Sequence, residues 1–240
     1  MAQKGKRTNQ KSRSAPKTQH VERKTKHWTI AFQGGTHSKK SSIPLGIVLR
    51  DLLNVCKNLK EVRNALQNRM VFVDGIARTN YRFPIGLFDT ISFHNSRYRT
   101  LIDHLGRIKL VEEKEKKEHK LCKVTGKTIG KKGMIVLSTH DGRTFLEKKT
   151  GVNVGDSIMT SIPEQKITGH FSLEKGNTAL VVSGKHVGAL TKIMEVIPST
   201  MKRKKAVTLE SKGQRFQTTA ESVFVVGKEK SEIALHEAMA

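Results

Sequence analysis

The chain lacks most of what stabilises secreted and membrane proteins. Its two cysteines, Cys56 and Cys122, stand far apart with no Cys-x-x-Cys spacing. That excludes a disulfide framework and a four-cysteine zinc site, and both read as small buried apolar residues. No apolar run reaches the ~18 residues of a membrane-spanning helix, which excludes an integral membrane protein. The start, Met1-Ala2-Gln3-Lys4-Gly5-Lys6-Arg7, is basic but no apolar stretch follows it, so it is no secretory signal and a cytoplasmic location is expected. Aromatics make up 5% of the chain, with a single tryptophan. Acidic residues are the largest deficit: 21 Asp and Glu face 45 Lys and Arg, for a net charge of +24.

Such a charge on 240 residues disfavours a compact isolated molecule and calls for a polyanionic partner. Nucleic acid is the leading candidate. The first 42 residues hold eleven Lys and Arg against one acid, Glu22, and each later segment is basic as well. A lone basic tail would suggest tethering, whereas an excess everywhere suggests that every segment lies against phosphate. With 36% hydrophobic residues there is material for cores, in one large domain or two to three small ones.

Residues 1 to 26 are nearly all polar and predict an arm that orders only on a partner. The arm region runs to residue 42 and holds Lys4, Lys6, Arg7, Lys11, Arg13, Lys17, Arg23, Lys24, Lys26, His27 and Trp28 as candidate RNA contacts. Trp28 either stacks on a base or docks on the protein's own core, and docking is the expectation for a large aromatic. Ser42 at an N-cap and Pro44 in the first turn predict a helix to about Leu53. Asn58-Leu59-Lys60-Glu61 predicts a capping box and a second helix to about Gln67. Met70 to Val73, the Asp74-Gly75 turn and Ile76 to Arg78 predict a hairpin, with further short strands at 81–84, 89–93 and 97–102. Residues 43–108 thus form a helix pair plus a small sheet. Its cations Arg50, Lys57, Lys60, Arg63, Arg69, Arg78 and Arg82 predict one basic surface of phosphate contacts. Arg69 and Arg78 are the strongest candidates, because arginine grips phosphate through two parallel bonds. The competing reading pairs these cations with Asp51, Glu61 or Asp74.

Residues 111–120 alternate Glu and Lys and predict a short exposed helix or connector. Beyond them short strands predict a small barrel over 109–173, with turns at Gly130, Gly133, Asp141-Gly142 and Gly155-Asp156. A third unit, 174–240, has strands at 179–182, 192–197, 206–210, 215–218 and 223–226, a glycine-hinged loop at 184–188, and a short helix from Ser231. In that loop Lys185 and His186 are candidate phosphate contacts, with packing the alternative for His186. The fold class is therefore α+β, β-rich and multidomain.

Catalytic motifs fail on inspection. Gly126-Lys127-Thr128 mimics the end of a P-loop, but Leu121 stands where that motif needs glycine. The glycines at 184 and 188 do not follow dinucleotide-binding spacing. Ten histidines show no paired-ligand spacing, so Asp103-His104 and Thr139-His140-Asp141 read as turn or surface residues. No acid–base constellation stands out. The expectation is no enzyme, no metal, no cofactor, no small-molecule substrate and no membrane.

Several motifs are recognisable in order. They are Lys26-His27-Trp28, Ile43-Pro44-Leu45 with Val48-Leu49-Arg50-Asp51, Val73-Asp74-Gly75, Tyr81-Arg82-Phe83-Pro84-Ile85-Gly86-Leu87, Lys120-Leu121-Cys122-Lys123, His140-Asp141-Gly142-Arg143, Gln165-Lys166-Ile167, Gly176-Asn177 and Val223-Phe224-Val225-Val226-Gly227. Over residues 26 to about 228 the chain resembles the small-subunit ribosomal protein four family of archaeal and eukaryotic type. The resemblance implies a structural, ribosomal RNA-binding constituent of the small subunit, lying against the 5′ domain of its RNA beside neighbouring ribosomal proteins. It further implies that the first unit is the helix-pair-plus-hairpin RNA-binding module and the third a KOW-type, SH3-like barrel. Members carry Gly-Gly before the KOW loop and a basic residue after its second glycine, where this chain has Ser183 and Ala189. The end at Ala240 suggests the archaeal branch. Two other functional classes fit less well. A pseudouridine synthase needs an aspartate after a Gly-Arg-Leu run, and here Gly106-Arg107-Ile108 is followed by Lys109. A KOW-containing translation or transcription factor would not need so basic an arm.

Overall fold

The computed structural model describes residues 9–113, 119–130, 133–148, 150–211 and 213–228. Lys4, Lys6 and Arg7, the middle of the Glu/Lys connector and the helix expected from Ser231 lie outside the described residues. The chain forms two compact units, one of residues 1–101 with 107–117 and the other of 102–106 with 118–240. No helix among the described residues is long and apolar enough to cross a membrane.

The first unit begins with β1 (Gln10–Lys11), which pairs antiparallel with β2 (Trp28–Thr29). The expectation that residues 1 to 26 fold only on a partner therefore does not hold for residues 9–26. They hold few apolar side chains, with only Ala15 buried and Val21 packed against the core, yet their backbone finds partners. The Ser12 amide donates to the His27 carbonyl, the Ile108 amide donates to the Thr18 carbonyl, and Gln10, Ser12, Ala15 and Gln19 are buried.

β3 (Ile43–Pro44) pairs with β6 (Pro84–Ile85). This pairing moves the helix start from Ser42 to Leu45: Pro44 stays extended, and the Ser42 hydroxyl turns back to the Ser38 carbonyl at 2.6 Å. The helix α1 (Leu45–Ile47) runs on into a wider turn over Val48–Leu52, where the Leu53 amide reaches the Val48 carbonyl. Leu45, Val48 and Leu49 are buried, as their spacing predicts.

α2 (Leu59–Gln67) matches the predicted second helix and buries Val62 and Leu66. Asn58 makes no side-chain cap, but Glu61 accepts the Lys57 amide at 2.8 Å, half of the expected box displaced by one residue. The sheet that follows has the order β5-β4-β7-β8-β9, from β4 (Val71–Val73), β5 (Ile76–Ala77), β7 (Thr90–Phe93), β8 (Ser96–Ile102) and β9 (Ile108–Glu112). Asp74 and Gly75 both have positive φ, the geometry a two-residue hairpin needs. Asp74 is buried, where it accepts the Thr90 amide at 3.0 Å. The core joins Ile43, Leu45, Val62, Leu66, Val71 and Ile91. Residues 111–112 belong to a strand rather than to a helical connector, because β9 closes the sheet against β8.

In the second unit β10 (His119–Ile129) pairs through its first half with β13 (Ser157–Ser161) and through its second half with β11 (Ile135–Thr139). β12 (Thr144–Glu147) and β14 (Ile167–Phe171) complete the order β12-β11-β10-β13-β14. Gly126, Lys127 and Thr128 are paired in the β10–β11 ladder, so they form no phosphate-binding loop. A separate five-stranded sheet, β18-β17-β16-β15-β19, is built from β15 (Thr178–Val181), β16 (Leu190–Ile197), β17 (Ala206–Ser211), β18 (Gln214–Thr219) and β19 (Val223–Gly227). Cys56 and Cys122 are free and buried.

Candidate nucleic-acid interface

Two of the cations predicted on the helix pair and first hairpin, Arg63 and Arg82, meet at one tyrosine. Gly46 brings α1 against the Tyr81 backbone: its amide donates to the Tyr81 carbonyl at 2.8 Å, and a Cβ there would meet the Ile30 Cδ1 at 2.9 Å. From α2, the Arg63 guanidinium lies 4.8 Å from the Tyr81 ring centroid and donates to the phenol oxygen at 3.3 Å. Arg82 donates to the same oxygen at 3.1 Å. Burial pushes the phenol's pKa up, but the bonds and charges of the two arginines outweigh it and hold the pKa below the usual tyrosine value. Arg78 stacks over Phe83 at 4.3 Å. The rings thus hold three guanidinium groups in place by cation–π contact.

Lys57, Lys60, Arg63 and Arg69 are exposed, and Arg78 and Arg82 are half-buried. Arg50 departs from the expected surface. It donates to both oxygens of Asp51, at 2.6 and 2.7 Å, because adjacent positions on the widened turn let the two side chains meet. The competing acid-paired reading thus describes Arg50. Glu61 is engaged by the Lys57 amide and Asp74 by Thr90. Lys57, Lys60, Arg63, Arg69 and Arg82 make no ion pair with a carboxylate among the described residues.

Arg69 has φ +54. It ends α2 in a Schellman arrangement, with its amide donating to the Leu66 carbonyl and the Met70 amide to the Ala65 carbonyl. That position ordinarily takes glycine, and an arginine there costs about 1 kcal/mol of backbone strain.

On the N-terminal hairpin, Lys11, Arg13, Lys17, Arg23, Lys24, Lys26, His27 and Trp28 are all exposed. Arg23 is partly committed, donating to the Arg13 and Pro16 carbonyls. Docking of Trp28 on the core is overturned: it is 55% exposed, because its partner across the ladder is Lys11 rather than an apolar residue. The Lys11 ammonium lies 6.0 Å from its ring and His27 meets it edge-on.

In the second unit Lys185 is exposed, while His186 stacks on Phe216 with ring centroids 4.1 Å apart. Gly188 seats this loop: it has φ +83, and a Cβ there would meet the backbone of Asp103 and His104 at 3.0 Å. The Thr139-His140-Asp141 turn is not a surface feature at Asp141, which is fully buried. Its carboxylate takes the buried Lys120 ammonium at 3.1 Å and Arg143 at 3.2 Å. Burial alone would raise its pKa, but Lys120, His140, a short bond from Thr139 and Arg143 together hold it below the carboxylate range. Donor atoms of Cys122, His140 and Asp141 lie within 4.8 Å of one another. The two cations already occupy that carboxylate, and burial holds the Cys122 thiol protonated, so the cluster is an ion pair in character. Sequence reading missed Lys120–Asp141 and the role of Tyr81. Adjacent arginines at 63, 78 and 82 around the 81–83 aromatics were the available signal.

The model described as Ribosomal family S4e matches residues 94–167. A small ribosomal subunit protein eS4 of Methanococcus maripaludis is 38% identical over 246 residues, covering 98% of this chain and 100% of its own length. One from Methanosphaera stadtmanae is 38% identical over 238 residues, covering 98% of each. The crystal structure of the 30S ribosomal protein S4e from Thermoplasma acidophilum superposes with a TM-score of 0.69 at 31% identity, covering 80% of this chain and 97% of that one.

Proposed function

Because the chain belongs to the S4e family of ribosomal proteins and is a structural constituent of the small ribosomal subunit, we propose that it holds ribosomal RNA through two surfaces of its first unit. One is the helix-pair and hairpin face around Tyr81. The other is the N-terminal hairpin carrying Trp28. Its relatives are ribosomal proteins rather than enzymes, and a transient factor is not favoured.

The observation that carries the reading is the orientation of Arg63 and Arg82 by Tyr81 instead of by a carboxylate. A guanidinium held by a ring keeps its charge available, and its fork fits a phosphate. Contacts of this kind position RNA by shape and backbone, not by base sequence. Trp28 adds a stacking surface for an unpaired base. In the same reading the RNA is the 5′ domain, neighbouring ribosomal proteins cover other faces, and Lys185 with His186 makes a smaller contact. The two five-stranded sheets of the second unit are then a central small barrel and a KOW-type barrel, divided near residue 173. Their separate ladders support that division.

The test is the salt dependence of binding to small-subunit RNA after Lys57, Lys60 and Arg63 are replaced by glutamine. Each neutralised phosphate contributes roughly −0.7 to −0.9 to the slope of log affinity against log salt, so the slope flattens by about two to three units. An unchanged slope, with the fold intact by circular dichroism, removes the face from the RNA site. Sedimentation at high salt separates a structural constituent, which stays with the subunit, from a factor that washes off.

A further inference from the structure

The connection between β16 and β17 reads Pro198-Ser199-Thr200-Met201-Lys202-Arg203-Lys204-Lys205. The ladder runs up to it, with Ile197 opposite Ala206. Thr200 and Arg203 exchange backbone hydrogen bonds at 2.9 and 3.2 Å, which closes a tight tip with Met201 and Lys202 at its apex. Met201 is fully exposed, and Lys202, Arg203 and Lys204 are exposed around it. Four consecutive cations meet one carboxylate, Glu221, which pairs with Lys204 at 3.1 Å. Lys202, Arg203 and Lys205 pair with no carboxylate among the described residues.

The base of this tip is fixed. The Lys205 carbonyl accepts the Ala220 amide at 2.9 Å, and residues 220–222 form a short turn. The ammonium of Lys123 on β10 donates to the carbonyls of Ala220, Glu221 and Val223 at 2.8, 2.8 and 2.6 Å. Lys123 thereby anchors the turn and adds its own charge to the group. Like charges gathered on a braced tip repel one another in water, and an apolar side chain at its apex buries nothing. The repulsion costs stability in the free protein and is relieved by a polyanion, while Met201 is left free to pack on a ligand's surface.

We infer that the Met201–Lys205 tip is a further RNA-binding element, seated in the minor groove of double-helical RNA. This rests on the ribosomal RNA reading above. The A-form minor groove is wide and shallow, with ribose 2′-hydroxyls and base edges exposed in it and phosphates on its borders. Met201 packs on ribose carbons at the groove wall, and the cations reach the flanking phosphates. The ribosomal setting of its relatives favours RNA over an acidic protein as the polyanion.

Two measurements on the full chain test it. In K202Q/R203Q/K204Q/K205Q the salt slope for small-subunit RNA flattens by about two to three units, one phosphate for each of the three unpaired cations. M201A weakens binding without changing the slope. Iron–EDTA tethered at Met201→Cys, with Cys56 and Cys122 too buried to label, cleaves both strands of one RNA helix across its minor groove. A wild-type slope in the quadruple variant, absence of cleavage while the chain stays bound, or retention on polyglutamate equal to that on a short RNA duplex overturns the inference and leaves the first-unit surfaces standing. Failure of the wild-type chain to bind the RNA overturns both.

Discussion

Arg69 offers a perturbation in which stability and binding move in opposite directions. Its φ of +54 at the end of α2 costs an L-residue about 1 kcal/mol that glycine does not incur. Arg69→Gly relieves that strain, while the freer unfolded chain takes back roughly 0.4–1 kcal/mol. The balance is a gain of up to about 0.5 kcal/mol, or about 2–4 °C for a unit of this size. The same substitution removes one cation from the RNA face, so the salt slope flattens by roughly 0.7–0.9. Arg69→Ala removes the cation but keeps the left-handed backbone, and it gains no stability. Urea unfolding followed by Trp28, the single tryptophan and a residue of the first unit, reads stability. Filter binding across a salt series reads the contact. A glycine variant less stable than wild type refutes the strain argument. Unchanged slopes in both variants refute the phosphate contact.

Asp141→Asn leaves the buried Lys120 ammonium without its carboxylate and is expected to cost about 3–5 kcal/mol in chemical denaturation. Because this carboxyl's pKa is lowered in the fold, the unfolded state binds its proton first. Its stabilising contribution is whole above the unfolded value of about 3.9 and is lost as pH falls through the folded one, which acid titration of the wild type and Asp141→Asn compares. Trp28→Ala should leave stability within about 0.5 kcal/mol and cost about 1–3 kcal/mol of RNA binding; equal affinity removes the stacking role. Gly86→Ala drives a Cβ to 2.3 Å from the His37 ring and disturbs the buried His37–Asp89 pair, so the thermal midpoint falls; an unchanged midpoint shows that the ring can move aside.

Periodicity and turn chemistry made much of the fold legible. α2, the Asp74-Gly75 hairpin and β13 stand where their residues predict. Errors arose where a distant pairing overrode a local preference. Ser42 is a good N-cap by type, yet the β3–β6 ladder holds Pro44 extended and displaces the helix start. The polar stretch 9–26 had no apolar pattern to reveal its pairing with residues 27–29, since backbone bonds hold it. Asp141 looked like a turn residue because its partner Lys120 is remote in sequence. The cations around Tyr81 were visible as residue types, but their division into ring-held Arg63 and acid-paired Arg50 depends on side-chain geometry. The run at 202–205 stands in the sequence with no motif to frame it.

The Thr18–Ile108 hydrogen bond and the edge strand β9 carry a consequence for synthesis. Residues near Thr18 leave the ribosome early, whereas Ile108, whose amide the Thr18 carbonyl accepts, emerges only with β9. Partners so distant in sequence meet slowly, and exposed apolar surface invites aggregation in the interval. The portion of the first unit with the longest wait is thus the portion that is almost wholly polar and cationic. It stays soluble until Ile108 emerges, and its charge keeps nascent copies apart.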